Sequence, residues 1–237
     1  MIKFSIVLPC YNEAENLNDL VRDFSKLITD EVEIIFVNNG SSDNTAEMLT
    51  KLLEGKRNLK LIHIEKNIGY GHGIITGLKS AIGEWVGWTH ADLQTEPADV
   101  FKAIEIIKTT DDKKMFIKGN RLGRKFSERI FSRGLEFLVR IILKIKMTEI
   151  NAQPKIFNRS LLDKFLNPPE HWGLDLYAYY VALNNGFTVK EIDVYFPERK
   201  HGNSKWNTGF ISKILFSLKF LKYCNYLRKQ RNVNNKS

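Results

Sequence analysis

The sequence predicts an α/β protein with a mostly parallel central sheet and helices on both faces. Three observations predict it. Through the first 120 residues, apolar β-branched runs alternate with segments of helical spacing, the pattern of strands joined by crossover helices. Apolar residues make up 43% and charged residues 27%, and only six Pro and 15 Gly are present, a globular composition rather than a low-complexity one. A chain of 237 residues is also long enough to bury a sizeable core.

The elements follow in order. Residues 2–8 form a short apolar run stopped by Pro9, and residues 13–27 carry Leu17, Leu20, Phe24 and Leu27 at helical spacing. Residues 33–37 are a second apolar run. Residues 43–53 read as a helix with Ser42 or Asp43 as its natural N-cap. A strand at 59–64, a helix at 72–82 and a Trp- and Val-containing strand at 84–89 come next. Pro97 suits the first turn of a helix reaching about residue 108, and residues 115–118 make a further strand. The second half reads as a long apolar and basic helix at 126–145, an extended piece at 151–157, an aromatic helix at 172–183, a strand at 187–196 and a helix at 210–227. With no internal repeat and no clear linker, the predicted organisation is one domain, 1–205, with a basic C-terminal extension, 206–237.

The charge is regional. Of 36 basic residues, ten lie from Arg199 onward, and none of the 27 acidic residues does, so the first 198 residues are close to neutral while the whole chain carries +9. Such a basic region suits phosphate groups or an anionic lipid surface. The two cysteines, Cys10 and Cys224, match no paired metal spacing, and reduced thiols are expected. The start lacks the apolar core of a signal peptide, and no uncharged apolar stretch reaches the length of a bilayer span. Peripheral attachment on the cytoplasmic face of a membrane is the expectation.

In parallel sheets, ligands bind at the carboxyl ends of the strands. Three polar clusters fall there: Pro9-Cys10-Tyr11-Asn12-Glu13, Asn38-Asn39-Gly40-Ser41-Ser42-Asp43 and His90-Ala91-Asp92-Leu93-Gln94. Asp92 offers a carboxylate directly after a strand, Gln94 can point to the same side two residues on, and His90 offers a nitrogen. Two oxygen donors and a nitrogen of this kind suit a divalent cation on a diphosphate. The glycines of Asn67-Ile68-Gly69-Tyr70-Gly71-His72-Gly73 do not fit G-x-G-x-x-G, which argues against a dinucleotide site. Nucleic acid is also excluded as an expected partner, because Glu13, Asp43, Asp92 and Glu96 line the same edge and would repel a phosphate backbone. Trp85 and Trp88 read as core residues, and Asp175 as either a surface acid or a base.

Together these residues resemble the family 2 glycosyltransferases. Ser5 through Glu13 is similar to the family's opening, Phe36 through Thr45 to its second motif, and Asn67 through Gly77 to its third. His90 through Pro97 resembles the D-x-D-type metal motif of the polyprenyl- and dolichyl-phosphate sugar transferase branch, and Arg199 through Lys205 that branch's late R-x-x-G-x-S-K motif. The resemblance covers about residues 1–205. It implies a GT-A fold, Mg²⁺ or Mn²⁺, and a UDP-, GDP- or dTDP-sugar donor. Pro9, Tyr11, Glu13 and Asn39 are then expected in the nucleoside pocket, and Asp92, Gln94 and His90 on the metal. Arg121 is expected near the donor, and Arg199, Ser204 and Lys205 on donor or acceptor phosphates.

Two departures alter those expectations. Asn38 or Asn39 stands where the family usually has Asp, and His90 replaces another, which removes a hard anionic ligand and implies either weaker metal binding or a preference for Mn²⁺ over Mg²⁺. Asn151-Ala152-Gln153-Pro154-Lys155 also differs from the acidic-start loop of many relatives. The expected reaction is inverting transfer to a lipid-linked acceptor, above all a polyprenyl phosphate, in cell-surface glycan and cell-wall synthesis, with Asp92 and Arg199 as catalytic groups. The alternatives are transfer to a sugar hydroxyl, with Asp175 as the base and Glu170 behind it, or a non-catalytic nucleotide-sugar-binding subunit. Both basic helices, 126–146 and 210–227, suit an anionic interface. The tail helix, with less to pack against, is the expected anchor.

Overall fold

The structure, a computed structural model, describes residues 1–124, 126–195 and 210–234, with side chains 27, 127, 210–214 and 231–234 left aside. Seven strands form one sheet: β1 (Phe4–Cys10), β2 (Val32–Asn39), β3 (Leu59–Ile64), β4 (Trp85–Trp88), β5 (Met115–Leu122), β6 (Lys155–Asn158) and β7 (Thr188–Tyr195). Their order is β3-β2-β1-β4-β6-β5-β7. All run parallel except β6, which is antiparallel to both neighbours, with Trp85 opposite Asn158 and Phe116 opposite Phe157. The helices are α1 (Leu17–Leu27), α2 (Thr45–Leu53), α3 (Tyr70–Ser80), α4 (Pro97–Lys108), α5 (Phe126–Leu143), α6 (Leu174–Asn184) and α7 (Phe210–Asn234), with a 3₁₀ turn at Arg159–Lys164.

Strand alternation divides the apolar residues between two cores. Phe4, Ile6 and Leu8 of β1 point to the face covered by α1, α2 and α4, where Leu17, Leu20, Val21 and Phe24 line up at helical spacing. Val7, Ile35 and Val37 point to the other face, covered by α3, α5, α6 and α7. There the Phe116 ring lies between Phe157 and Tyr179, at 5.5 and 5.7 Å, fastening β5 to β6 and α6.

The predicted architecture is the observed one, with helix bounds shifted by a few residues. The first helix starts at Leu17 rather than residue 13, because Asn12 sits at φ +55° and residues 13–16 form a turn. The second is preceded by Asn44, not by a Ser42 or Asp43 cap, although Asp43 Oδ1 does accept the Thr45 amide at 3.0 Å. Among the described residues no helix is long and apolar enough to cross a membrane.

The expectation that α7 has little to pack against is corrected. Phe220, Cys224 and Leu227 are buried, α7 lies along α5, and Trp172 packs on Phe216 and Phe220 at 4.9 and 5.4 Å.

Candidate active site

The carboxyl ends of β1, β2 and β4 meet as predicted. The loops after β1 and β2 are hydrogen-bonded into one wall. Asn12 Oδ1 accepts the Ser42 amide at 2.8 Å, the Asn12 amide donates to Ser41 Oγ at 3.1 Å, and the Glu13 amide donates to Thr45 Oγ1 at 2.9 Å. Tyr11 stands exposed at the rim, Pro9 is half-buried at the strand end, and the Glu13 carboxylate accepts from Asn16 Nδ2 at 2.6 Å. Asp43 is held below the usual carboxylate range. Burial pushes it up, but hydrogen bonds from Thr45 and the Ala14 amide outweigh that.

The second and third motifs join through Asn39. Its Nδ2 donates to the Gly69 carbonyl at 3.0 Å, while its Oδ1 is buried with no hydrogen-bond partner. An unmet buried acceptor costs about 1–3 kcal/mol, and a ligand N–H would satisfy it. Gly40, at φ +68°, turns the chain beside Asn39, where a Cβ would collide with the Lys66–Asn67 backbone.

The glycines of the third motif have a different role from a phosphate cradle. A Cβ at Gly71 would strike the carbonyl of Pro169 and come within 2.7 Å of the His171 carbonyl. The His72 amide donates to the Glu170 carbonyl at 2.8 Å, and His72 Nδ1 lies 3.1 Å from the Glu170 carboxylate. The 167–173 loop thus rests on the start of α3, and Glu170 is engaged there. Gly71→Ala is expected to lower unfolding free energy by about 1–3 kcal/mol through overpacking. Urea denaturation checks it, and an unchanged midpoint would show that the loop yields freely.

At the end of β4, Asp92 is buried and its Oδ1 accepts the Gln94 amide at 3.2 Å. Leu93 between them has φ +57°, a strained conformation for a bulky side chain. Glu149 (+44°) and Asn12 (+55°), an asparagine that tolerates the region, are also left-handed at this edge, while Asn58 and Lys144 are so elsewhere in the fold. Among the described residues no group of three His, Cys, Asp or Glu could hold a metal by itself. One carboxylate, one amide and one imidazole fit a cation only if the ligand supplies the remaining oxygens. His90 is kept neutral. Lost hydration lowers its pKa, Asp92 and Asp175 pull the other way, and Lys155 and Arg121 add to the lowering.

Beneath this edge lies a network the sequence did not reveal. Asp175 is buried, which excludes the surface-acid reading. Its Oδ1 accepts from Gln153 Nε2 (2.7 Å), Lys155 Nζ (2.8 Å) and Trp88 Nε1 (3.1 Å). Gln153 also donates to the Tyr70 hydroxyl at 3.3 Å, and the Tyr70 ring lies 6.2 Å from His90. Trp85 and Trp88 are core residues, as expected. Arg121 pairs with Glu149 at 2.6 Å, and Arg124 shares that carboxylate at 3.1 Å. Arg199, Ser204 and Lys205 lie outside the described residues.

The model of the family "Glycosyl transferase family 2" matches residues 5–166 of this chain. The chain belongs to glycosyl transferase family 2. It is 30% identical over 220 residues to an undecaprenyl-phosphate 4-deoxy-4-formamido-L-arabinose transferase of Pseudomonas fluorescens, covering 90% of this chain and 63% of that protein. It is 27% identical to the Yersinia enterocolitica protein of the same name, over 91% of this chain and 66% of that one. The chain therefore spans just under two thirds of the length of these relatives. Among solved structures, Mycobacterium tuberculosis glucosyl-3-phosphoglycerate synthase, in complex with Mn²⁺, UDP and glucosyl-3-phosphoglycerate, aligns with a TM-score of 0.72 at 17% identity, over 96% of this chain and 80% of that one. The same synthase with Mg²⁺ and UDP gives 0.68 at 17% identity, over 93% and 79%. These likenesses establish the GT-A fold for this family 2 glycosyltransferase.

Proposed function

We propose that this family 2 glycosyltransferase moves a sugar from a nucleotide-sugar donor to a polyprenyl phosphate with inversion. The observation that carries the choice of acceptor is the state of Asp175. A hydroxyl acceptor needs a base to take its proton, and the carboxylate best placed for that role is already paired with the Lys155 ammonium and two neutral donors. A phosphate acceptor is anionic and needs none. The names of the curated relatives support the same acceptor class.

In this reading Pro9, Tyr11, Glu13 and Asn39 line the nucleoside pocket, with Asn39 Oδ1 accepting an N–H of the base. Asp92 and Gln94, with neutral His90, would hold the Mn²⁺ or Mg²⁺ that neutralises the donor diphosphate. Arg121, and from the late motif Arg199, Ser204 and Lys205, would orient donor and acceptor phosphates. An acceptor phosphate oxygen attacks the anomeric carbon from the face opposite the nucleotide. The carbon–oxygen bond to the diphosphate breaks, and the nucleoside diphosphate leaves with the electron pair. The catalytic unit is then 1–205 with 206–237 as its extension, working at the cytoplasmic face of a membrane.

The test is a screen of UDP-, GDP- and dTDP-sugars with Mn²⁺ and a short-chain polyprenyl phosphate, following nucleoside diphosphate release and the anomeric configuration of the product. Acceptor-dependent release with an inverted product is expected, and transfer confined to sugar hydroxyls would overturn the reading. A second expectation concerns His90. His90→Asp should raise the Mg²⁺/Mn²⁺ rate ratio, since carboxylate oxygen suits the harder ion. An unchanged ratio would remove His90 from the ligand set.

A further inference from the structure

We propose that the exposed face of α5, rather than α7, is the surface that docks on an anionic lipid bilayer. This deepens the reading above by naming the part of the protein that meets the acceptor's membrane.

Six large apolar side chains are exposed along α5, Phe131 and Leu138 among them, and the four most exposed are Phe126 (74% exposed), Ile130 (55%), Phe137 (62%) and Ile141 (57%). Their spacing of four, seven and four residues places them in one line along the helix. Single exposed apolar residues are ordinary, but a continuous line on an 18-residue helix is not. Arg129, Arg133, Arg140 and Lys144 are exposed beside that line. The acids of the helix are engaged with the protein itself, Glu128 beside Arg124 and Glu136 accepting the Glu149 amide at 2.7 Å. The face is therefore apolar and cationic, the composition that inserts at an anionic interface.

Charge decides between the possible occupants. A second copy would bring the same arginines and a net charge of +9 against this face. The 196–209 segment carries Arg199, Lys200 and Lys205 against Glu198 alone, so it is repelled as well. Anionic lipid is complementary to both features. The position also fits. The face begins where β5 ends at the carboxyl edge, and exposed Leu122 and Tyr195, paired across β5 and β7, continue the apolar rim there. By contrast, α7 turns Phe220, Cys224 and Leu227 inward, and the apolar side chains it leaves exposed beside Lys219 and Lys222 among its described residues, Leu215 (53%), Leu218 (59%) and Tyr226 (45%), are fewer and each less exposed than Phe126 or Phe137.

The experiment is co-sedimentation of the full chain with vesicles of phosphatidylcholine containing phosphatidylglycerol, and with pure phosphatidylcholine vesicles as the neutral reference. Ile130→Ser/Phe137→Ser/Ile141→Ser and, separately, Arg129→Glu/Arg133→Glu/Arg140→Glu should each weaken binding by about tenfold or more, while Lys219→Glu/Lys222→Glu on α7 changes it less than about twofold. All the substituted side chains are exposed, and thermal melting of each variant, together with agreement between the apolar and charge sets, separates lost docking from lost folding. Binding no better than to neutral vesicles, α5 variants that sediment like the original chain, or loss confined to the α7 variant would each overturn the proposal. So would a dimer in gel filtration that the apolar variant splits. Turnover of a soluble short-chain acceptor without vesicle binding defeats this inference alone, and vesicle binding through α5 without turnover of any donor defeats only the functional reading.

Discussion

Asp92→Asn should abolish most sugar transfer while leaving the fold intact. Asp92 is buried at the end of β4, and its Oδ1 accepts the Gln94 amide. The Asn side chain keeps an oxygen in that place, so the turn with Leu93 in its strained conformation survives. What is lost is the single carboxylate of the proposed ligand set. Stabilisation of charge on a leaving diphosphate is worth several kcal/mol, so kcat/KM should fall by at least about a hundredfold across a Mn²⁺ titration. Thermal melting of the metal-free protein should not move. Turnover equal to that of the original chain at every metal concentration would remove Asp92 from the site.

Lys155→Met should produce the largest loss of stability. Lys155 is fully buried, donates to the Ala152 carbonyl at 2.9 Å, and pairs with Asp175 at 2.8 Å. Its removal strands a carboxylate in the interior, and breaking a buried pair from one side costs about 3–5 kcal/mol. Replacing both partners, Lys155→Met with Asp175→Leu, should recover much of that loss, because an apolar pair of similar volume needs no charge compensation. Urea denaturation of the three proteins measures both effects, and a single variant as stable as the double would refute the coupling.

The pH dependence has a definite sign. Burial pushes the Lys155 ammonium down to about 8 from its ordinary 10.5, against the pull of Asp175. Between these values the unfolded chain still holds the proton that the folded chain has released, so this group adds stability as the pH rises from 8 to 10.5. The advantage of the original chain over Lys155→Met should widen across that window. A flat difference would place the Lys155 titration elsewhere.

Most of the fold was legible in the sequence because burial on both faces forces parallel strands into near-continuous apolar runs such as 33–37. The carboxyl-edge clusters were legible for a related reason: polar residues follow the runs at once, as Asn38 follows Val37. The direction of β6 was not, since an extended segment carries no mark of which neighbour it will join. Nor was Lys155. A lysine in a strand ordinarily faces water, and its partner Asp175 lies twenty residues later, on a helix of its own. The docking of α7 escaped for the opposite reason. Its apolar residues are interleaved with lysines, and only the presence of Trp172 and α5 determines which side turns inward.

The insertion of β6 between β4 and β5 has a consequence for the order in which the molecule can be assembled. As the chain leaves the ribosome, β1 to β4 can pair as soon as they emerge, but the outer edge of β4 stays open until residue 158 arrives. Its sequence, Trp85-Val86-Gly87-Trp88, is apolar throughout. An unpaired edge of that kind is a template for pairing with another nascent chain. β5 is made first yet has no partner until β6 and β7 follow. The half-built protein therefore exposes an adhesive edge for the time it takes to synthesise some seventy residues. Nascent chains stalled near residue 120 are expected to engage chaperones, and chains stalled well beyond residue 195 to be released from them.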